Sequence, residues 1–347
     1  MHADNIKVCL THNNADEVLE RYATANVKLE PTDYQPWDFT ANARQALSVI
    51  DQLYGAPLEQ LNVLVGSNAD RRESKSIMCH CVTSALPSGS VLHVDEGLYV
   101  AAPALNLVLQ ADSMHAVELC KVLGRYWGTF STVHSPGDRS KIVERPALTN
   151  PFDLALYLNG APRRPGLGTL RDAMRFTCEN ARSPQEVNLQ LILNLPPVCN
   201  GFCLQKPIMN YKIRLNEAEK KLYDADYIKI DLYWPEARFG LEYLGEEEHK
   251  DRMIADISRW YAAKMHGIEL MFVTKAQLQS PEAIDFIARE VAKRTRKRIV
   301  ASTWPTFDEI ELLIDVLFDK KSLNPDKRLR VRPIRNNKPH VNSPIVC

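Results

Sequence analysis

The second half of the chain carries an alternating series of apolar patterns that predict helices and strands. Apolar residues at helical spacing mark the helices, whereas short runs rich in β-branched and aromatic residues mark the strands. The predicted elements are, in order, a helix starting at Ser183, a strand over residues 227–233, a strand over 239–244, a helix over 246–266, a strand over 268–273 and a helix starting at Ser280. Such a series predicts an α/β domain in which helices flank a mixed sheet.

The first half shows shorter apolar runs separated by Gly, Pro, Ser and Asn, which is typical of an α+β domain. The predicted elements are a helix over residues 41–54, strands over 61–65, 77–82, 91–94 and 98–100, and a helix from Pro103 to Gly124. We therefore predict four segments: a helical N-terminal segment over 1–60, an α+β accessory domain over 61–165, an α/β domain over 166–300, and a helix with a basic flexible tail over 301–347.

Composition places the chain among globular proteins. Of its 347 residues, 45% are hydrophobic and 25% are charged, which excludes bulk disorder and collagen-like repeats. No run approaches the ~18 apolar residues of a membrane helix, and the first residues lack the apolar core of a secretion signal. We expect a cytoplasmic protein that does not enter membranes, in which the eight cysteines are free thiols.

Charge is balanced overall, with 43 basic and 43 acidic residues, so any attraction to nucleic acid has to be local. Residues 293–298 contain five cations, and the tail from Lys320 contains eight against one acid. The alternative is that such runs only aid solubility. We predict that nucleic acid phosphates contact the cations of the first cluster, which are Lys293, Arg294, Arg296, Lys297 and Arg298.

Two acids on the predicted hairpin could share a metal ion. If the turn is Pro235–Arg238, Asp231 lies directly opposite Glu242, and opposed residues have Cβ atoms ~4.5–5.5 Å apart. The apolar residues that alternate with Asp231 would then point to the other face of the sheet. Two facing carboxylates repel each other unless a cation joins them, and Mg²⁺ prefers oxygen ligands. The alternative is a solvated hairpin with two unrelated acids.

Glu186 is the third candidate acid, on the helix that precedes the hairpin. Ser183-Pro184-Gln185-Glu186 also matches a capping box with proline in the first turn. Helix capping alone therefore accounts for these residue types. Glu186 can serve both purposes only if the start of this helix faces the hairpin.

The helix after the hairpin offers further polar candidates on one face. His249, Arg252, Asp256 and Arg259 share that face by their helical spacing. One interpretation is an exposed face stabilised by ion pairs. In the other, His249 acts as a general acid or base beside Glu242, while Arg252 and Arg259 contact phosphate.

Taken together, the motifs resemble those of one known superfamily. They are Ser183-Pro-x-Glu186, Ile230-Asp231-Leu-Tyr-Trp-Pro235, Leu241-Glu242-Tyr-x-Gly245, His249, Asp256, Arg259 and Gly267-Ile-x-Leu-x-Phe-Val-Thr274. This set resembles the restriction-endonuclease-like PD-(D/E)xK superfamily, in the branch of very-short-patch-repair (Vsr) nucleases. Some bacterial proteins of that branch are grouped with AbiEi-type abortive-infection and antitoxin proteins.

The resemblance implies a restriction-endonuclease-like fold for the C-terminal α/β domain. It also implies that Glu186, Asp231 and Glu242 bind Mg²⁺ or Mn²⁺ at the scissile phosphate. One position departs from the family pattern, because Leu244 stands where the third motif has Lys or Asp. An apolar side chain can neither polarise water nor bind metal. Since Lys229 would lie opposite Leu244 in the predicted register, we hypothesise that Lys229 supplies the missing cation.

Two functions follow as expectations. The first is a Mg²⁺-dependent DNA endonuclease of phage defence or DNA repair, with Asp231, Glu242, Lys229 and His249 as catalytic residues. Its N-terminal domain would select the target or a protein partner. The second is a catalytically inactive, antitoxin-like regulator that keeps the nuclease fold and binds nucleic acid. A pure protein-interaction module is a third class, and it would show no salt-dependent affinity for DNA.

Overall fold

The chain folds into two compact units. The structure, a computed structural model, describes residues 7–40, 60–72, 75–133, 141–223, 225–245 and 259–319. Unit 1 comprises Met1–Met114 and Phe130–Leu170, and unit 2 comprises His115–Thr129 and Arg171–Cys347. Each unit combines a mixed sheet with helices. The predicted class, an α/β fold with mixed sheets flanked by helices, is confirmed.

Short strands and helices alternate along the chain. The strands are β1 (Val8–Leu10), β2 (Glu30–Thr32), β3 (Leu61–Val65), β4 (Ile77–Cys81), β5 (Val91–Asp95), β6 (Leu98–Ala101), β7 (Phe130–Val133), β8 (Lys141–Glu144), β9 (Ile208–Arg214), β10 (Tyr227–Trp234), β11 (Phe239–Leu244) and β12 (Glu269–Thr274). The α-helices are α1 (His12–Thr24), α2 (Pro103–Gln110), α3 (Ala116–Trp127), α4 (Pro151–Gly160), α5 (Leu167–Phe176), α6 (Pro184–Asn194), α7 (Glu217–Tyr223), α8 (residues 259–265), α9 (Lys275–Leu278), α10 (Pro281–Arg294) and α11 (Phe307–Leu317).

Unit 1 is built on a six-stranded mixed sheet with the order β2-β5-β6-β1-β3-β4. Strand β1 pairs in parallel with β6 and antiparallel with β3. Its side chains alternate between two cores, because successive residues of a strand point to opposite faces. Val8 and Leu10 pack with Val18 of α1, whereas Cys9 packs in the second core with Leu105 of α2.

Unit 2 contains a four-stranded sheet with the order β12-β11-β10-β9. Strands β11 and β12 are parallel, and the other neighbours are antiparallel. Helix α8 covers one face of this sheet, where Ala262 and Ala263 pack with Ile228, Ile230 and Leu270. Strand β9 forms an edge of the sheet.

Helix α6 is the central helix of unit 2. It packs against α3, α11 and β10, and its residues from Glu186 to Asn194 are all buried. Because this helix is buried on all sides, it has no one-sided apolar stripe from which its orientation could be predicted. Ser183 caps its N-terminus, as predicted: the Glu186 backbone N–H donates to Ser183 Oγ at 3.2 Å.

The observed units differ from the predicted segments. Residues 1–60 were predicted as a separate helical segment, yet β1 and β2 belong to the sheet of unit 1. Helix α3, predicted within the accessory domain, belongs to unit 2, and so does α11. A three-residue strand such as β1 shows no readable alternation, which is why the pattern missed it. The helix predicted over 41–54 and the tail from Lys320 lie outside the described residues.

None of the helices that the structure describes combines the length and the apolar character needed to span a bilayer.

Candidate active site

The hairpin of β10 and β11 has the predicted register. Leu232 pairs with Leu241, and Trp234 pairs with Phe239. The turn between the strands begins at Pro235 and ends at Arg238, which has a left-handed φ of 46°. Asp231 and Glu242 are therefore the next opposed residues beyond the paired segment.

At these two acids, hydrogen bonds from backbone N–H groups to side-chain carboxylates join the two strands in place of backbone-to-backbone bonds. The Asp231 backbone N–H donates to Glu242 Oε1 at 3.3 Å, and the Tyr243 backbone N–H donates to Asp231 Oδ2 at 2.8 Å. Each carboxylate thus reaches across to the opposite strand. This exchange holds the two acids next to each other and confirms their predicted juxtaposition.

The predicted alternation of faces along β10 is wrong around Asp231. Ile228, Ile230 and Tyr233 pack in the same core cluster, although strict alternation would put Ile230 and Tyr233 on opposite faces. The ladder with β9 pairs Ile230 with Tyr211, skips Asp231 and resumes at Leu232. The register with β9 is the same on either side of Asp231, so the interruption is a missing backbone pair and not an inserted residue.

Glu186 serves both as a helix cap and as part of the acidic group. Its carboxylate accepts hydrogen bonds from the Arg182 backbone N–H at 2.9 Å and from Ser183 Oγ at 2.9 Å. It also accepts one from Asn210 Nδ2 at 2.6 Å. The residue is 6% exposed, and the Asp231 charge acts on its pKa. We use the name acidic group for Glu186, Asp231 and Glu242.

Asn210 is a residue of the site that the sequence analysis missed. It lies on β9 between Met209 and Tyr211, which pair with Leu232 and Ile230, so its strand position faces Asp231. Its φ is 49°, a left-handed conformation that Asn tolerates better than most residues. Its side-chain amide donates both to Glu186 and to the Asn180 carbonyl oxygen at 2.9 Å. Because Asn is depleted in strands, its presence in β9 is the sequence feature that could have pointed to this residue.

Arg259 binds the acidic group, whereas the sequence analysis predicted a phosphate contact. Its Nη1 lies 2.7 Å from Glu242 Oε2, and Glu242 is 1% exposed. A buried carboxylate needs a cation or several hydrogen-bond donors, and Arg259 of α8 provides the cation. In this structure the guanidinium contact is with the protein's own carboxylate.

Burial and repulsion from Asp231 oppose ionisation of Glu186 and Glu242. Burial, followed by repulsion from Asp231, raises the pKa of Glu186 to about 7. The same two causes, in the same order, raise the pKa of Glu242 to about 8, and Arg259 only partly offsets them. Two of the three acids therefore bind protons near neutral pH, where ordinary carboxyl groups are fully ionised.

Whether these residues suit a divalent metal depends on geometry and on donor chemistry. Within the described ranges, no group of three or more His, Cys, Asp or Glu side chains is arranged to hold a metal ion. Several carboxylate oxygens instead accept the hydrogen bonds given above. The donor set itself consists of three carboxylates whose repulsion a cation would relieve, and hard oxygens are the ligands that Mg²⁺ and Mn²⁺ prefer. The chemistry of the residues fits such an ion.

The predicted position of Lys229 opposite Leu244 lies beyond the paired part of the hairpin. The backbone ladder between β10 and β11 covers only residues 232–234 of β10, so this position stays a prediction. Lys229 pairs with Lys212 of β9, and Leu244 pairs with Thr274 of β12. The Lys229 ammonium lies 5.6 Å from the centre of the Tyr227 ring. Its catalytic role stays a prediction.

The predicted basic cluster after α10 is only partly free to meet a ligand. Arg294 forms ion pairs with Glu269 and Glu290, and its guanidinium lies over the Phe239 ring at 4.6 Å. It therefore ties α10 to β11 and β12. Three further residues, Lys293, Arg296 and Arg298, are exposed, and Lys297 is half-buried. Their contact with nucleic acid stays a prediction.

Two other predicted residues, His249 and Arg252, lie outside the described residues, as does Asp256. The predicted role of His249 as an acid or base and that of Arg252 as a phosphate contact stay predictions.

Comparisons with known proteins add no relative. No protein-family model, no curated protein and no solved structure matches this chain. The resemblance to restriction-endonuclease-like nucleases therefore stands on the motifs alone.

Proposed function

We propose that this protein is a metal-dependent endonuclease that hydrolyses phosphodiester bonds in DNA. One observation carries the proposal: Asp231 and Glu242 contact each other across the hairpin in the register predicted for a shared metal ion. Glu186, from a separate helix, adds a third carboxylate whose pKa responds to Asp231. A role in phage defence or DNA repair is part of the proposal, as is target or partner selection by unit 1.

The energetics support a functional rather than a structural role for the acidic group. Burying carboxylates that repel each other destabilises a fold, and an apolar residue at Glu242 would avoid that cost. Proteins keep such locally unfavourable arrangements chiefly at functional sites. Asp231 is half-buried, and its charge raises the pKa of Glu186 and the pKa of Glu242. It therefore interacts electrostatically with both buried acids.

In this proposal, Glu186, Asp231 and Glu242 hold the ion. The bound Mg²⁺ or Mn²⁺ would act as a Lewis acid toward the scissile phosphate and lower the pKa of the attacking water. Binding requires Glu186 and Glu242 to release the protons that their raised pKa values retain. Arg259 favours the ionised form of Glu242, and Asn210 does the same for Glu186.

The proposal also assigns residues to proton transfer and to the missing positive charge. Lys229, two residues before Asp231, is the candidate cation that replaces the lysine missing at Leu244, and His249 is the candidate general acid or base. Lys229→Ala should abolish metal-dependent cleavage, and Leu244→Lys in that background should restore part of it. Cleavage by Lys229→Ala at the wild-type rate would eliminate Lys229 from the mechanism.

A cleavage assay tests the proposed function directly. Labelled single-stranded and duplex DNA are incubated with the protein and Mg²⁺ or Mn²⁺, and Asp231→Asn and Glu242→Gln are compared with the wild type. Each variant should lower the rate at least about 100-fold, since even outer-shell partners of a metal change activity 10- to 100-fold. Glu236→Gln, an exposed acid in the turn of the same hairpin, is the control and should cleave normally. Wild-type protein that cleaves neither substrate would refute the proposal.

A second function, the inactive antitoxin-like regulator, is favoured by two specific observations. Leu244 lacks the charged group of the third motif, and Glu242 already forms an ion pair with Arg259. A regulator of this kind should bind DNA with strong salt dependence yet leave it intact with either ion. The same assay, run beside a binding measurement, therefore separates the two functions.

A further inference from the structure

A strip of basic and aromatic residues lies beside the acidic group, along β9 and β10. In the ladder Lys212 faces Lys229, and Arg214 faces Tyr227. Opposed residues of an antiparallel pair point to the same face, as do residues two apart along a strand. All four side chains therefore share one face, and we refer to them as the edge strip.

The edge strip is open to solvent and lies close to the acids along the strands. Lys212 and Arg214 are exposed, Tyr227 is 41% exposed and Lys229 is half-buried. Among the described strands, β9 is at the edge of the sheet and pairs on one side only, with β10. Lys229 is two residues before Asp231, a rise of about 7 Å along the strand.

The positive charges of the edge strip are not neutralised by the described part of the protein. Within the described ranges, no carboxylate forms an ion pair with Lys212, Arg214 or Lys229. The nearby acids Glu217 and Asp226 are instead bound to Lys220, at 2.9 and 3.3 Å. Among the residues that the structure describes, the strip therefore carries positive charge without an acidic partner.

The arrangement is unfavourable for the protein alone. Two lysines placed directly opposite each other on neighbouring strands destabilise the pair. The Tyr227 ring lessens the repulsion, because the Lys212 and Lys229 ammonium groups lie 4.8 and 5.6 Å from its centre. These contacts also bring both ammonium groups to the same ring. An anion that bridges them would remove the repulsion.

We propose that the edge strip binds phosphate groups of the nucleic acid substrate next to the scissile phosphodiester. The identity of the ligand as nucleic acid rests on the proposed function, whereas the charge of the strip does not. The inference assigns the substrate contact to Lys212 and Arg214. Arg259 and Arg294, for which a phosphate contact was predicted from the sequence, are paired with the protein's own acids. It also differs from a purely protective role, in which edge lysines only prevent strands of other molecules from pairing.

The test measures binding without cleavage. Fluorescence anisotropy of labelled oligonucleotides is recorded over a series of salt concentrations, with EDTA present and in the Asp231→Asn background. Lys212→Ala/Arg214→Ala should reduce the slope of log affinity against log salt by about 2, since each lost phosphate contact lowers it by about 1. Lys212→Arg/Arg214→Lys, which keeps both charges, should retain the slope.

The matched control removes two exposed cations of unit 2 that have no proposed contact with nucleic acid, Arg238 in the hairpin turn and Lys264 of α8. Arg238→Gln/Lys264→Gln should leave the slope unchanged. If this control loses the slope while Lys212→Ala/Arg214→Ala keeps it, the edge strip is not the phosphate site. An unchanged slope together with aggregation of Lys212→Ala/Arg214→Ala would identify the protective role and overturn the proposal.

Two comparisons assign the ligand and separate this inference from the nuclease proposal. Single-stranded and duplex oligonucleotides are titrated in parallel, and the tighter one identifies the source of the phosphates; absence of binding to either overturns the inference. Loss of the slope in a protein that never cleaves would support the edge strip and reject the nuclease. Cleavage with an unchanged slope would support the nuclease and reject the edge strip.

Discussion

Single residues in the acidic group show how neighbouring side chains control ionisation. Glu242 is buried against Arg259, and Glu186 is held by Asn210. Both partners favour the ionised carboxylate, and burial favours the protonated one. The protonation state of the group at neutral pH is therefore set by this balance.

Asn210 can be tested separately from its backbone conformation. Asn210→Gly keeps access to the left-handed conformation but removes the amide that binds Glu186. The pKa of Glu186 should rise further, because Asn210 lowers it in the folded protein. The pH profile of cleavage should shift upward, with activity at neutral pH about 10- to 100-fold lower. An unshifted profile with reduced thermal stability would limit Asn210 to a structural role.

Glu242 should make stability fall as pH rises. Its pKa is raised from 4.5 to about 8 on folding, so the folded state binds the proton more tightly than the unfolded state. The associated stability is complete below about pH 4.5 and is lost as pH rises through about 8. Urea unfolding at about pH 5 and about pH 8 should show this loss, on the order of a few kcal/mol. Glu242→Gln should lose the part of this dependence that Glu242 causes and keep the part due to the raised pKa of Glu186. An equal dependence in both proteins would contradict the predicted shift.

At the scale of elements, the hairpin positions the acids through close packing as well as register. Gly240 of β11 leaves room for its neighbours: an added Cβ would lie 2.5 Å from Ile230 Cγ2 and 2.9 Å from Leu270 Cδ2. Ile230 directly precedes Asp231. The apolar contact at Gly240 therefore fixes the strand at the point where its ladder is interrupted.

Gly240→Ala should overpack this contact. We expect a loss of about 1–3 kcal/mol of unfolding free energy, together with lower metal affinity because β10 shifts at Asp231. Gly160→Ala is the control, since its added Cβ would lie 3.8 Å from the nearest atom. Equal stability of the two variants, measured by chemical denaturation, would rule out close packing at Gly240.

The sequence predicted elements better than it predicted what interrupts them. Proline and a short turn fix the register of β10 and β11, and Ser183 signals the start of α6. The left-handed Asn210 contacts Glu186 of a helix that comes earlier in the chain, and the interruption at Asp231 involves contacts with β11. Helical spacing placed Arg259 on a polar face, but it could not reveal that Glu242 is its partner. Such pairings arise from tertiary packing.

At the scale of the whole molecule, strands of unit 2 could be predicted from the sequence, whereas the boundaries between the two units could not. The alternation of helices and strands was enough to predict β10, β11 and β12 of the sheet of unit 2, whereas the edge strand β9 was not predicted. The boundaries were missed because the chain leaves unit 2 after α3 and returns at Arg171. No local pattern marks such a return, since it reflects which surfaces pack together.

Divalent ions should stabilise the protein in a pH-dependent manner. A ligand that binds only the folded state raises its stability, and this ion competes with the protons of Glu186 and Glu242. The rise in melting temperature with Mn²⁺ should be larger at about pH 8 than at about pH 5.5. Differential scanning fluorimetry measures both, with Ca²⁺ and Na⁺ at matched ionic strength as controls. A rise that is the same at both pH values would place the ion elsewhere.

The most direct test titrates Mn²⁺ into the protein by calorimetry at about pH 8, comparing the wild type with Asp231→Asn and Glu186→Gln. Asp226→Asn, an exposed acid bound to Lys220, serves as the control. We predict stoichiometric binding to the wild type and the control, and binding weakened at least about 100-fold in both site variants. Wild-type protein that takes up no Mn²⁺, or site variants that bind it as tightly, would contradict the central claim that these three acids form a metal centre.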